Sequence, residues 1–358
     1  MPEEDPFDPE NEAHAGYEKL WKTISKLPHL ESLYLWKPMD FKLNLRDFPA
    51  LKTLTFHYGQ LRENIGGLPS LEHLSLLYFH RIDSSWLHPR LVRTLKSLRL
   101  KKPGAGDLRA IASSFKHFSS VLKTPSSLQS LSFELHPFAE SSTYYRILED
   151  FMKSLSPVSF PNLRYLAAHS IYDDIFGTSS VGFRDGFLRQ LPFRFPHLRE
   201  LSIVRGDKDA NELRMYHAYR GNCWPDHLAI LAQLPHLQFL TINYLDYLHM
   251  DSIRINDETF EVLPKLLYFE IRPKCPFPVY SDHPAAWMVI RDDQQGGKIT
   301  KRLRLVHVKE SLDDWFTTSP LDKVEDFSMG WYRAMVHEIR KSEEEEERSR
   351  MFDEEEVM

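Results

Sequence analysis

One short motif recurs along most of this chain and constrains its fold more than any other feature. It has the form apolar-Pro-x-Leu-x-x-Leu-x-Leu, where x is any residue. Chance could supply one or two matches in a leucine-rich chain, whereas seven with the same apolar-Pro start indicate an internal repeat. The clear copies begin at Leu27, Phe48, Leu68, Phe160, Phe195, Leu234 and Leu263, and looser copies begin at Thr94, Ser127 and Thr300.

Each copy predicts a short β-strand, because its last leucines alternate with other residues at a period of two. In the first copy, Leu33 and Leu35 lie on one face of the strand. The opposite face carries Ser32, Tyr34 and Trp36. A single short strand cannot bury its apolar face alone, so we expect each copy to pair in parallel with the next. Proline fits just before such a strand, where it removes no ladder hydrogen bond.

The predicted fold is an α/β leucine-rich-repeat solenoid, with a curved parallel sheet inside and helices or loops outside. Parallel strands need a return path of about a dozen residues. Apolar residues at helical spacing predict such return helices at Leu108–Leu122, Tyr144–Leu155 and Trp224–Leu234. The same register predicts four buried and stacked side chains, namely Leu131, Leu166, Leu201 and Leu240.

The motif and the charge pattern predict four segments. Residues 1–12 hold six acids and no base, and residues 341–358 hold nine acids and three bases. An apolar helical stripe over 321–341 predicts a helix that covers the last strand edge. The segments are 1–26, an acidic stretch with a short capping helix at Tyr17–Ile24; 27–308, a solenoid of about ten irregular repeats; 309–341, a helical cap; and 342–358, an acidic tail.

Over residues 27–308 these repeats resemble those of the leucine-rich-repeat family, and they are most similar to the degenerate repeats of fungal F-box proteins. In that family the repeats select a substrate, while an N-terminal F-box docks onto a cullin ubiquitin ligase. The resemblance therefore implies substrate recognition, with a ligase adaptor and a cullin as partners. The first 26 residues show no F-box pattern. The asparagine that the family places eight residues after the first leucine is replaced, for example by Pro38.

The strand face opposite the leucines is the candidate binding surface for another protein. It is rich in Tyr, Trp and Arg, the residue types that dominate interface hot spots. Simple packing of these side chains over the sheet is the equally weighted alternative. We expect a monomer that binds its partner through the following residues: Tyr34, Trp36, His57, Tyr58, Tyr78, Arg99, Lys101, Lys102, Tyr165, His169, Arg205, Tyr244 and Arg272. Trp36, Tyr58 and Tyr78 are predicted to form an aromatic ladder.

No catalytic, cofactor-binding or metal-binding motif is present in the sequence. It has no His-Glu-x-x-His zinc motif, no phosphate-binding glycine loop and no Gly-x-Ser-x-Gly nucleophile turn. His29, His197 and His236 occupy the same turn position, where a hydrogen-bonded structural role is the simpler interpretation. We therefore expect no cofactor and no enzyme activity. A hydrolase stays the less favoured alternative, because catalytic triads are assembled in space.

Charge and hydrophobicity limit the other classes of partner. The formal net charge is −6, from 45 basic and 51 acidic residues. A nucleic-acid binder would carry a larger and clustered positive charge. The sequence has no run of 18 apolar residues, so we expect no membrane span. The acidic start lacks the features of a signal peptide, which favours a cytoplasmic or nuclear protein. Within the protein-binding class, a stand-alone scaffold or assembly factor is the alternative to ubiquitin ligation.

Overall fold

The computed structural model describes the strands, the turns before them and short helical segments. The described ranges are 19–36, 48–59, 68–79, 89–101, 107–114, 126–134, 160–171, 187–205, 229–244, 260–273, 285–292, 298–305 and 330–345, apart from residues 21, 25, 69, 108, 112, 261, 331 and 343. The chain forms two compact units. The first comprises Met1–His197 with Arg205–Asp209, and the second comprises Leu198–Val204 with Ala210–Met358.

The described residues of the first unit form six strands, which pair in parallel with their neighbours along the chain. Each begins two residues after the first leucine of a motif, as the period-two pattern predicts. The strands are β1 (Ser32–Trp36), β2 (Thr53–Gly59), β3 (His73–Phe79), β4 (Ser97–Lys101), β5 (Ser130–Glu134) and β6 (Tyr165–Ile171).

Leucines in equivalent positions form the core of this unit. Leu98 pairs with Leu131, and Leu131 pairs with Leu166. These three side chains are at most 1% exposed. Leu33 and Leu35 are only half-buried, because β1 has a described neighbour on one side alone. The predicted burial and register of Leu131 and Leu166 are therefore confirmed.

Backbone carbonyls form a regular ladder of hydrogen bonds at the entry to the strands. The carbonyl oxygen of Glu31 accepts hydrogen bonds from the backbone N–H groups of both Lys52 and Thr53, at 2.8 and 2.9 Å. The carbonyl of Lys52 accepts equivalent bonds from the next strand. The same pattern recurs at the carbonyls of Glu72, Lys96, Gln129, Arg199 and Gln238. Because each bond uses only main-chain atoms, the register tolerates irregular loops between the repeats.

The second unit combines parallel and antiparallel strands. Its strands are β7 (Glu200–Arg205, whose last residue belongs to the first unit), β8 (Phe239–Tyr244), β9 (Tyr268–Pro273), β10 (Ala285–Asp292) and β11 (Lys298–Leu305). Strands β7, β8 and β9 pair in parallel. Leu201 and Leu240 are paired and at most 2% exposed, which confirms the prediction for both.

The last two strands depart from the repeat pattern. Strand β10 pairs antiparallel with both β9 and β11. The copy at Thr300 does form a strand, but the expectation that it continues the parallel pairing is wrong. An antiparallel pair needs no helical return path, so a short connection suffices here. Strand β10 carries no copy of the motif and was not predicted.

Short helices precede several strands. The structure contains α1 (Pro89–Thr94) and α2 (Phe187–Arg194), and neither was among the predicted helices. Described residues within 107–114 and 229–231 are helical, which agrees with parts of two predicted helices. The predicted helix at Tyr144–Leu155 lies outside the described residues. Further described helical residues are 19–20 and 22–24, and 330, 332–342 and 344–345. The mostly parallel sheets and these helices place the chain in the α/β class.

Candidate partner-binding face

The candidate site is the strand face opposite the leucines, which we call the non-leucine face. In the first unit, two rows of side chains in register define it. One row contains Ser32, Thr53, His73, Ser97, Ser130 and Tyr165. The other row contains Tyr34, Thr55, Ser75, Arg99, Ser132 and Ala167. Most members of both rows are small and polar, as expected for a face that is not held by leucine packing.

Along this face, exposure drops between the second strand and the third and stays low through the sixth. Tyr34 is 55% exposed, and Thr55 beside it is half-buried. Ser75 is 1% exposed and Arg99 is 8% exposed. At the far end of the row, Ala167 is fully buried. A partner can therefore reach the non-leucine face of this unit most easily at β1 and β2.

The structure locates the side chains of four predicted site residues. Tyr34 is exposed and Lys101 is half-buried. Arg99 and Tyr165 are buried, so a partner could reach them only after a rearrangement. The backbone alone is described for eight others, which are Trp36, His57, Tyr58, Tyr78, His169, Arg205, Tyr244 and Arg272. Lys102 lies outside the described residues.

The backbone register differs from the predicted aromatic ladder. Trp36 on β1 is paired with His57 on β2, so Tyr58 is not its cross-strand partner. His57 is paired in turn with Leu77. Successive strand residues belong to opposite faces of a sheet, and the shift by one residue breaks the predicted row. Trp36 and Tyr58 therefore cannot be assigned to one continuous ladder.

A buried histidine and serine lie in contact at the centre of the non-leucine face. The Nδ1 atom of His73 is 2.6 Å from the Oγ atom of Ser97. The other ring nitrogen, Nε2, is 3.9 Å from an Oε2 atom of Glu72, which is longer than a hydrogen bond. Ser97 is only 3% exposed, so this pair is better suited to stabilising the face than to attacking a substrate.

Arg99 places a cation on the same buried face. Burial lowers the pKa of the Arg99 guanidinium, and its electrostatic interaction with Tyr165 opposes that shift. In the row, Arg99 lies between Ser75 and Ser132, two small residues that leave room for a long side chain. The apolar stem and the planar head of arginine suit such a partly apolar position.

In the second unit the non-leucine face is buried and contains an acid. We define it there by Phe239, Thr241, Tyr268 and Glu270, which pair across β8 and β9. Glu270 is 0% exposed. Its Oε2 atom accepts hydrogen bonds from the hydroxyls of Tyr268 at 3.2 Å and Thr241 at 3.3 Å. Two donated hydrogen bonds offset part of the cost of burying this carboxyl group.

Sequence reasoning missed a row of charges at the entry to the strands. Lys52 Nζ lies 2.7 Å from Glu31 Oε1, and Lys96 Nζ lies 2.9 Å from Glu72 Oε2. The hydrogen bond from Lys52 to Glu31 and their opposite charges raise the pKa of Lys52. This row is visible in the sequence, because the residue after the first leucine is alternately acidic and basic in four successive copies: Glu31, Lys52, Glu72 and Lys96.

The described ranges of the chain show neither a metal site nor a membrane-spanning helix. Within those ranges, no three His, Cys, Asp or Glu side chains are grouped in a way that could hold a metal ion. None of the helices described there combines the length and the apolar run that a bilayer crossing requires.

Comparison with known proteins does not assign the chain to a family. No protein-family model matches the sequence, and no curated protein matches it either.

Proposed function

We propose that this protein is a non-enzymatic interaction module that binds another protein at the N-terminal end of its non-leucine face. The observation that carries this proposal is the 55% exposure of Tyr34. The leucines of the neighbouring strands supply the core, so this large aromatic side chain contributes little to it. Tyrosine gives a binding surface a large, rigid contact area together with a hydroxyl group.

The surroundings of Tyr34 support the same role. Thr53 and Thr55 on β2 are half-buried and offer hydroxyl groups beside it. Half-buried Lys101 lies three strands away on β4 and adds a positive charge elsewhere on the same unit. Aromatic residues with polar neighbours are common in protein-binding surfaces.

The class of partner that we propose is a protein selected for ubiquitination. This part of the proposal is supported only by the resemblance of the repeats to those of fungal F-box proteins. It implies that a ligase adaptor and a cullin accompany the chain in the cytoplasm or the nucleus. The alternative is a stand-alone scaffold or assembly factor, which would use the same surface without ligase subunits.

Affinity capture from the native lysate tests the proposal. Tagged wild-type chain is compared with Tyr34→Ala and with a matched control, Phe193→Ala, which removes an aromatic side chain that is 76% exposed on α2. We expect one dominant partner that the control retains and that the Tyr34 variant binds about thirtyfold more weakly, as for a hot spot of about 2 kcal/mol. Recovery of a cullin and its adaptor would support the ligase role. Equal capture by all three chains would contradict the proposed surface.

A hydrolase is the second candidate, and only the contact between His73 and Ser97 favours it. A serine-reactive fluorophosphonate probe distinguishes the two functions. Our proposal predicts no labelling of Ser97, because the side chain is 3% exposed. Labelling of the wild-type chain that disappears in Ser97→Ala would instead support a nucleophilic serine.

A further inference from the structure

The described residues of the helical segment near the C-terminal end contact their unit through one buried side chain and three half-buried ones. Its described helical residues fall at 330, 332–342 and 344–345. Among them only Tyr332 is buried, at 9% exposure. Met335, Val336 and Ile339 are half-buried, and the other described side chains of the helix are exposed.

Tyr332 reaches two different strands of the second unit. Its hydroxyl group donates a 2.7 Å hydrogen bond to the backbone carbonyl of Val289 on β10. Its ring meets Phe239 of β8 edge to face, with centroids 6.5 Å apart and planes at 83°. Phe239 belongs to the non-leucine face and is 3% exposed. One tyrosine therefore covers part of that face through both its ring and its hydroxyl group.

The helix has little stability of its own. Isolated helices of this length are marginal in water, so most of the stability must come from the contact with the sheet. The segment includes Gly330, and glycine is a weak helix former. A side chain added at Gly330 would meet no atom within 4 Å.

We propose that this helix is an internal ligand of the non-leucine face, and that it detaches to admit a partner that presents a tyrosine-like side chain. The Tyr332 ring fills the position beside Phe239, and its hydroxyl group donates a hydrogen bond to the Val289 carbonyl. A competing group would therefore need an aromatic ring that carries a hydroxyl donor. This inference rests on the proposed function, because a second partner-binding site matters only in a binding protein. It adds a site in the second unit and a way to regulate it.

Hydrogen exchange of the full chain, followed by mass spectrometry, tests whether the helix opens locally. In the wild type we expect residues 332–342 to exchange faster than β8 and β9, since locally opening segments lose protection before the core does. We expect Tyr332→Ala to speed exchange of the helix by about tenfold or more and to expose β8 as well. Exposed Arg333 supplies the matched control, because Arg333→Ala changes the same helix without touching the sheet contact.

Two milder variants keep the test informative if Tyr332→Ala perturbs folding. Tyr332→Phe keeps the ring and loses one hydrogen bond, so exchange of the helix should rise about two- to tenfold. Gly330→Ala should slow exchange about fivefold, because alanine favours helix and meets no clash at this position. Opposite effects of two changes only two residues apart would be hard to explain by general damage to the fold.

A peptide probe tests whether the vacated site accepts the segment again. A fluorescent peptide with the sequence of residues 326–346 is titrated into full chains and followed by anisotropy. We expect it to bind the Tyr332→Ala chain at least about tenfold more tightly than the wild type, whose site is occupied. A peptide that itself carries Tyr332→Ala should bind neither chain.

Several results would overturn the inference. These are helix exchange as slow as that of the strands, equal effects of Tyr332→Ala and Arg333→Ala, faster exchange in Gly330→Ala, or equal peptide binding by both chains. None of these measurements needs a natural partner. The proposed function can therefore fail in the capture experiment on Tyr34 while the internal ligand is confirmed, and the reverse outcome is equally recognisable.

Discussion

Replacing Leu131 by alanine measures how far the stacked leucines carry the stability of the first unit. Leu131 is 0% exposed and lies between Leu98 and Leu166, which are themselves 1% and 0% exposed. The substitution removes three carbon groups, which at about 0.8 kcal/mol each corresponds to about 2.4 kcal/mol of lost burial. Partners on both sides hold the cavity open, so the total should lie between about 2 and 5 kcal/mol.

Leu33→Ala is the control for this prediction, because Leu33 has the same chemistry and repeat position but is only half-buried on β1. We expect it to cost about half as much as Leu131→Ala or less. Both free energies are measured by urea unfolding followed by circular dichroism, with the slope of the transition compared between variants. A Leu131→Ala cost below about 1 kcal/mol, or one equal to that of the control, would refute the stacked-leucine core.

Two further predictions concern polar contacts. Ser97→Ala should destabilise the protein by about 1–3 kcal/mol in thermal or urea unfolding, because it leaves buried His73 without the hydroxyl that it contacts. Ser75→Ala should leave the free energy of unfolding nearly unchanged, because the Ser75 hydroxyl is buried and has no hydrogen-bond partner in the described part of the chain. A larger loss of stability for Ser75→Ala than for Ser97→Ala would contradict these roles of the two serines. In NMR titrations, we expect Lys52 to have a pKa above its ordinary value of 10.5, and Glu31→Gln should lower the pKa of Lys52. If Glu31→Gln leaves the pKa of Lys52 unchanged, the ion pair does not persist in solution.

The strands and their register could be predicted because each copy of the repeat marks both the start of a strand and its buried face. A leucine at every second position marks the buried face, and the proline marks where the preceding segment ends. This information sufficed to place Leu131 opposite Leu166 and Leu201 opposite Leu240. It also predicted parallel pairing from β1 to β6, since equivalent copies bury their leucines only when they stack in the same direction.

The burial of the opposite face could not be predicted in this way. The motif describes the leucine face, whereas Phe239 is covered partly by Tyr332, a residue far along the chain. A hint was present in the copy at Leu263, whose strand residues include Phe269 beside Tyr268. A nearly continuous run of large apolar residues is typical of a strand that is buried on both faces. Strand β10 escaped prediction because it has an apolar run without the proline and leucine spacing.

The candidate site was predicted only in outline. Choosing the non-leucine face followed from strand alternation, but alternation does not reveal which part of that face is accessible. Arg99 and Tyr34 occupy the same row, yet one is 8% exposed and the other 55%. The difference arises from position in the sheet, since Tyr34 is on the first described strand and Arg99 is on the fourth.

Photo-crosslinking from position 34 tests the central claim most directly. Benzoylphenylalanine replaces Tyr34 in one tagged chain and Phe193 in another, and both are irradiated in native cells before purification and mass spectrometry. We expect one protein to be joined covalently at position 34 and to be absent from the product at position 193, although Phe193 is the more exposed of the two. No specific product at position 34, or the same products from both positions, would contradict a partner-binding surface at the N-terminal end of the non-leucine face.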